Sequence, residues 1–179
     1  VYKDSCAVEP DPELARYLAQ AFAGRGSMLA VALWREPGRM PFYLAHHAGR
    51  AILTRGSLEP AANSGLEQTA RMVEVATLRL DLPPLGFVKI DVEGHEFALL
   101  EGGLERLRCD RPRPLIEIEE RHHPDGSGGL FALLAELGCG AFYLATDRLK
   151  PLGDTSLSVV QNAVRAEATM ARSCRTQDL

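Results

Sequence analysis

The run from Phe87 to Leu107 constrains the fold of this chain more than any other. Phe87-Val88-Lys89-Ile90-Asp91-Val92 has the length and β-branched content of a core strand, expected over residues 87–92. Glu93-Gly94 breaks that pattern, and Phe97, Leu100 and Leu104 then recur at helical spacing, which predicts a helix over residues 94–107. A strand that passes straight into a helix is half of a β–α–β unit. Repeated units of this kind imply a parallel sheet covered on both faces.

The same alternation runs through the rest of the chain. Residues 5–9 read as a short strand closed by Pro10. Asp11-Pro12-Glu13 then supplies an N-cap carboxylate, a proline for the first helical position and an acid for the first turn. Leu14, Leu18, Ala21 and Phe22 continue that helix, and Gly24 is placed to stop it. Residues 27–33 read as a second buried strand. Residues 40–44 and 72–77 are expected to pair as an antiparallel excursion, with 45–70 a long mobile loop rich in turn residues. A strand at 114–119, a helix at 129–137 ended by Gly138, and an antiparallel pair at 141–145 and 157–165 complete the reading. The fold class expected is α/β: one domain over residues 1–179, with a doubly wound, mostly parallel Rossmann-like sheet and an antiparallel C-terminal strand pair.

Composition narrows the function classes. Hydrophobic residues make up 46% of the 179 and charged residues 25%, enough apolar surface for a packed core. A formal net charge of −4 gives no general attraction to phosphate backbones or anionic lipid, so neither nucleic acid nor membrane is expected as a partner. Cys6, Cys109, Cys139 and Cys174 form no C-x-x-C, so no metal site is expected, and the cytoplasm is the expected location. No cationic leader with an apolar segment opens the chain, which begins on Val1 rather than Met, as a piece of a longer protein would.

In open α/β sheets ligands bind beyond the carboxyl ends of the strands. Here those ends carry Glu9, then Asp91 and Glu93, then Glu119 and Glu120. A carboxylate such as Glu9 accepts two hydrogen bonds and suits the two hydroxyls of a ribose; the alternative is a solvated strand-end acid. Lys89, on a strand expected to be buried, requires a partner, and Glu117 or Glu119 of the next strand is the expected one. His122 and His123, beside Glu119, Glu120 and Asp125, admit a proton acceptor or a metal cluster, but a solvated loop is the favoured reading. His46 and His47 fall in the expected loop. Glu96 is explained equally well by the positive end of its helix.

The segment Val88-Lys89-Ile90-Asp91-Val92-Glu93-Gly94-His95-Glu96 resembles the FkbM family of S-adenosylmethionine-dependent methyltransferases, whose pattern is K-I-D-V-E-G-x-E. Phe97-Ala98-Leu99-Leu100-Glu101-Gly102-Gly103 is similar to the family's following helix. Ala7-Val8-Glu9-Pro10-Asp11-Pro12-Glu13 is similar to its ribose-binding strand end, and Val31-Ala32-Leu33 with Gly38 to its third strand. Thr77-Leu78, the strand at 114–119, and the tail from Asp147-Arg148-Leu149 through Asn162-Ala163-Val164 extend the likeness.

The resemblance implies S-adenosyl-L-methionine as cofactor, held through Glu9, Pro10, Ala32, Leu33 and Asp91. Among the strand-end acids and the histidines that follow them, Asp91, Glu93 and His122 are the catalytic candidates, and the resemblance implies a hydroxyl of a sugar or secondary metabolite as small-molecule acceptor. Asp91 would orient that hydroxyl, take its proton or bind the cofactor's amino group; the plainer alternative is a cap on the following helix. The family also carries a first strand and a glycine-rich loop before the position of Glu9, and residues 1–5 hold no glycine. A non-catalytic or truncated methyltransferase-like binding module therefore stands as the alternative. A nicotinamide-dependent oxidoreductase is disfavoured, since no G-x-G-x-x-G occurs.

Overall fold

In the computed structural model, which describes residues 5–123, 126–145, 148–153, 157, 159, 160 and 169–171, the chain forms two compact units. The first comprises Val1–Pro83 with Ala98–Gly103, the second Pro84–Phe97 with Leu104–Leu179. Strands and helices mix in the chain, as an α/β sequence implies.

The first unit opens with strand β1 (Cys6–Val8) and helix α1 (Pro12–Ala21). Asp11 caps α1 as expected: its Oδ1 accepts the Glu13 and Leu14 N–H groups at 2.8 and 3.1 Å. Arg71 donates to its other oxygen at 3.1 Å. Gly24 follows the helix with φ 78°, a left-handed conformation that suits glycine. Residues 27–33 are two strands rather than the one expected. Strand β2 (Ser27–Leu29) pairs parallel with β1, and β3 (Ala32–Leu33) joins a different sheet.

That second sheet overturns the loop expected over residues 45–70. Strands β4 (Gly38–His47), β5 (Arg50–Ser57) and β6 (Glu67–Ala76) occupy most of it, with a 3-10 turn at Pro60–Asn63. The order is β3-β6-β4-β5. A tight hairpin explains the difference. Ala48 and Gly49, at φ 49° and 72°, are both left-handed, the geometry that matches the twist of two antiparallel strands. The strands expected at 40–44 and 72–77 do pair antiparallel, as β4 with β6, but in a register that sets 40–44 against 69–73, with Met40 opposite Val73 and Leu44 opposite Thr69. Ala32, Phe42, Leu44, Leu58, Val73 and Val75 form the core of this sheet, with Trp34 and Met40 packed against it.

In the second unit, β7 (Phe87–Ile90) runs into helix α2 (Glu96–Asp110), and β8 (Arg113–Glu117) lies parallel to β7. A 3-10 turn at Glu120–His122 precedes helix α3 (Gly128–Glu136). Strands β9 (Phe142–Ala145), β10 (Arg148–Pro151) and β11 (Thr169–Ala171) complete a sheet ordered β10-β9-β11-β8-β7. The antiparallel C-terminal pair is thus β9 with β10, not 141–145 with 157–165. Leu157, Val159 and Val160 are helical instead; Leu157 and Val160 are buried three residues apart, a helical spacing, while Val159 is exposed. Residues 161–165, Asp125, Asp147, Asn162-Ala163-Val164 and Cys174 lie outside the described residues.

Parallel pairing joins β1 to β2, β3 to β6 and β7 to β8, and every other pairing among the described residues is antiparallel. The expectation of a mostly parallel sheet is corrected accordingly, because the β4–β5–β6 meander supplies long antiparallel ladders. Among the described residues no helix is long and apolar enough to cross a membrane.

Gly102, midway along α2, is required by close packing. A Cβ there would run into the Trp34 carbonyl oxygen and the Arg35 Cα, which are backbone atoms and yield little. Gly102→Ala is therefore expected to destabilise the fold by about 1–3 kcal/mol, although alanine is the better helix former. Urea unfolding checks it, and an unchanged midpoint would show that the contact relaxes freely.

Candidate active site

At the carboxyl end of β7 the chain leaves the sheet through Asp91-Val92-Glu93-Gly94. Glu93 (φ 52°) and Gly94 (φ 102°) are both left-handed, and for Glu93 that conformation carries strain of about 1–3 kcal/mol. Strain of this kind persists where surrounding contacts over-determine it. Here Glu96, the first residue of α2, reaches back so that its Oε1 accepts the Gly94 N–H at 3.0 Å.

The carboxylates of this turn meet those at the end of β8 and just after it. Asp91, Glu93, Glu96, Glu117, Glu119 and His122 line a small open cleft of about 170 Å³, counted out to its mouth. Cations are interleaved among them. Lys89 Nζ lies 2.5 Å from Asp91 and 3.8 Å from Glu117. Arg121 pairs with Glu119 through Nε, and its Nη2 lies 3.5 Å from Glu93. Of the two partners expected for Lys89, Glu117 is the one it meets, while Glu119 pairs with Arg121. The burial expected on this side of the strand is absent, since Lys89 is half exposed and Phe87 is 62% exposed. Ile90 alone among these four strand residues is fully buried. Asp91 does not cap α2, whose N-cap is His95.

His122 and His123 correct the expectation of a solvated loop. Their side chains are only 3% and 11% exposed. The amides of the 3-10 turn bond back to the Glu119 and Glu120 carbonyls at 3.0 Å, which turns the two imidazoles toward different acids. His122 Nε2 lies 3.4 Å from Glu93 Oε2, and His123 Nε2 lies 3.2 Å from Glu96 Oε2. Burial, and after it the Arg121 charge, pushes the His122 imidazole below its usual value and favours its neutral, proton-accepting form. Burial acts to raise the Glu96 carboxyl, but His123, the Gly94 N–H and its own amide outweigh it and hold it below the usual range. His95, almost fully buried, is pushed down to about 4 by burial, with Glu96 opposing.

The remaining candidates lie in the first unit. Glu9 follows β1; its Oε1 accepts the Asp11 N–H at 2.8 Å, and burial raises its carboxyl. Its second oxygen has no hydrogen bond among the described residues. Pro10 is half-buried beside it. Ala32 is closed into the core, so it offers a ligand only its backbone, and Leu33 is half-buried on β3. His46 lies on β4, not in a loop, with Nε2 2.9 Å from the Thr69 hydroxyl. No three His, Cys, Asp or Glu side chains among the described residues are disposed to hold a metal ion. Glu96, His123 and Arg121 are the residues that sequence reasoning undervalued. The only signal for Glu96 was its place as the second acid of the K-I-D-V-E-G-x-E run.

A profile of the methyltransferase FkbM domain matches residues 2–141. The chain belongs to the FkbM methyltransferase family. A crystal structure of a methyltransferase FkbM from Methylobacillus flagellatus KT, at 2.20 Å, superposes with a TM-score of 0.50 at 16% identity. The alignment covers 96% of this chain and 36% of that one, so this FkbM chain spans about a third of the length of that relative. At such identity the likeness shows the fold alone. No curated protein matches the chain. The K-I-D-V-E-G-x-E segment that suggested the family is the one that supplies Asp91, Glu93 and Glu96 to the carboxylate cleft.

Proposed function

We propose that this chain is part of an S-adenosylmethionine-dependent methyltransferase acting on a hydroxyl of a sugar or secondary metabolite. The observation that carries the reading is the buried His122 side chain among the carboxylates of Asp91, Glu93, Glu117 and Glu119, at the carboxyl ends of two parallel strands. That is where an α/β fold builds its chemistry, and the group set suits deprotonation of a hydroxyl.

S-adenosylmethionine, when bound, supplies an electrophilic methyl on a sulfonium and departs as a neutral thioether. Glu9 fits this cofactor: a half-buried carboxylate with one oxygen anchored and one open to a ribose hydroxyl. The chain's own part in the reaction is orientation and proton removal. Asp91, half exposed and fixed by Lys89, accepts a hydrogen bond from the acceptor hydroxyl and aligns it. His122 takes the hydroxyl proton as its oxygen gains the methyl, and Glu93 steadies the imidazolium that results.

Glu9→Ala tests the cofactor half. Loss of a charge-assisted hydrogen bond to ribose is expected to weaken S-adenosylmethionine binding by about 1–3 kcal/mol, read by calorimetry on the complete protein. Unchanged affinity would remove Glu9 from the site. Methylation of a hydroxyl acceptor, followed by release of S-adenosylhomocysteine, tests the reaction itself.

A further inference from the structure

We infer that Glu96 is a positioning residue, a single buried carboxylate that sets both Glu93 and His122 on the cleft. The inference rests on the methyltransferase reading only for its kinetic test. Through Oε1, Glu96 holds the Gly94 N–H, and with it the left-handed turn that presents Glu93. Through Oε2 it meets His123, the residue that follows the 3-10 turn carrying His122. The Oε2–Nε2 approach of 3.2 Å is off the line of a straight hydrogen bond. Both atoms are nevertheless sealed from water and have no other hydrogen bond among the described residues, so each serves the other.

Two features separate this role from helix-end electrostatics. An acid that only complements the helix N-terminus can do so while solvated and needs no partner from another segment. Glu96 is 1% exposed, and a buried carboxylate without partners is costly. Its partners come from the two segments that bear cleft side chains, the Asp91–Gly94 turn and the Glu120–His123 turn. One side chain thus couples the spacing of Glu93 to that of His122, whose imidazole and carboxylate stand 3.4 Å apart.

Glu96→Gln separates the two contacts. The amide oxygen can still accept the Gly94 N–H, while the amide nitrogen now points a donor at His123 Nε2. In the full chain, ¹⁵N-resolved imidazole spectra are expected to show His123 Nε2 protonated in the wild type and unprotonated in the variant, with the His122 signals displaced as well. Turnover is expected to fall about 10-fold to 100-fold with little change in acceptor KM, as a misplacement of about 1 Å does. His123→Gln, which keeps a donor toward Oε2, is expected to retain more turnover than His123→Ala, and this pair decides the matter if Glu96→Gln fails to fold. Unmoved His122 signals in Glu96→Gln, or equal turnover in the two His123 variants, would overturn the inference. Absence of turnover in the wild type would overturn the methyltransferase reading instead, and the imidazole spectra would still decide the role of Glu96.

Discussion

Asp91→Asn is expected to lower turnover by about a hundredfold or more while changing stability by under about 1 kcal/mol. The two magnitudes have separate causes. The Asp91 side chain is 41% exposed and its ion pair with Lys89 is wet, and such pairs contribute little because water already solvates both charges. An asparagine still accepts a hydrogen bond from Lys89 and preserves the shape of the turn. It loses the full negative charge that aligns an acceptor hydroxyl and favours the transfer of its proton toward His122. The measurement is kcat at saturating acceptor beside a denaturant titration of the same variant. Collapse of stability with undiminished activity in the folded fraction would make Asp91 a structural residue and move the chemistry elsewhere on the cleft.

Local signals that agree with one another were legible in the sequence. Asp11-Pro12-Glu13 specified the start of α1 because cap, fixed φ and dipole all act within one turn, and the cap is observed. The Phe87–Leu107 run specified a strand and a helix; Glu93 and Gly94 take left-handed conformations that delay the helix to Glu96, and it runs on to Asp110 before Arg111 turns left-handed. The β4–β5–β6 meander was not legible. Its one decisive signal is Ala48-Gly49, a weaker hairpin dipeptide than Asn-Gly. Gly56, over which the Phe42 ring packs, also interrupts the apolar alternation of β5.

The cleft divides in the same way. Asp91 and Glu93 were identified because strand ends carry function. His123 and Glu96 were undervalued because their importance lies in burial, which arises only when the Glu120–His122 turn folds onto the start of α2. A charged residue in a polar stretch reads as solvated until tertiary structure removes the water. The exposed side of β7 shows the converse: Phe87 and Lys89 read as core, and both are open to solvent.

Stability is expected to fall by about 2 kcal/mol between pH 6.5 and pH 5, and His95 is the main cause. Its imidazole is 4% exposed and sits at the N-cap of α2, where an added positive charge would face the positive end of the helix. Burial therefore sets its folded value near 4 against an ordinary 6.5. Between those values the unfolded chain binds a proton that the folded chain refuses, so each pH unit of acidification costs up to about 1.4 kcal/mol. His122, also shifted downward, adds to the same slope. Glu96, held below its ordinary 4.5, contributes stability that is intact above that value and is lost only at more acid pH, which keeps the two effects apart. His95→Gln carries no titrating group and should flatten most of the slope between pH 6.5 and 5 while leaving the loss below pH 4.5 in place. Denaturant midpoints at pH 7, 6 and 5 measure it. A wild-type curve that is flat over this interval would mean that His95 takes up its proton in the folded state, and the N-cap of α2 would then have to open to water to admit it.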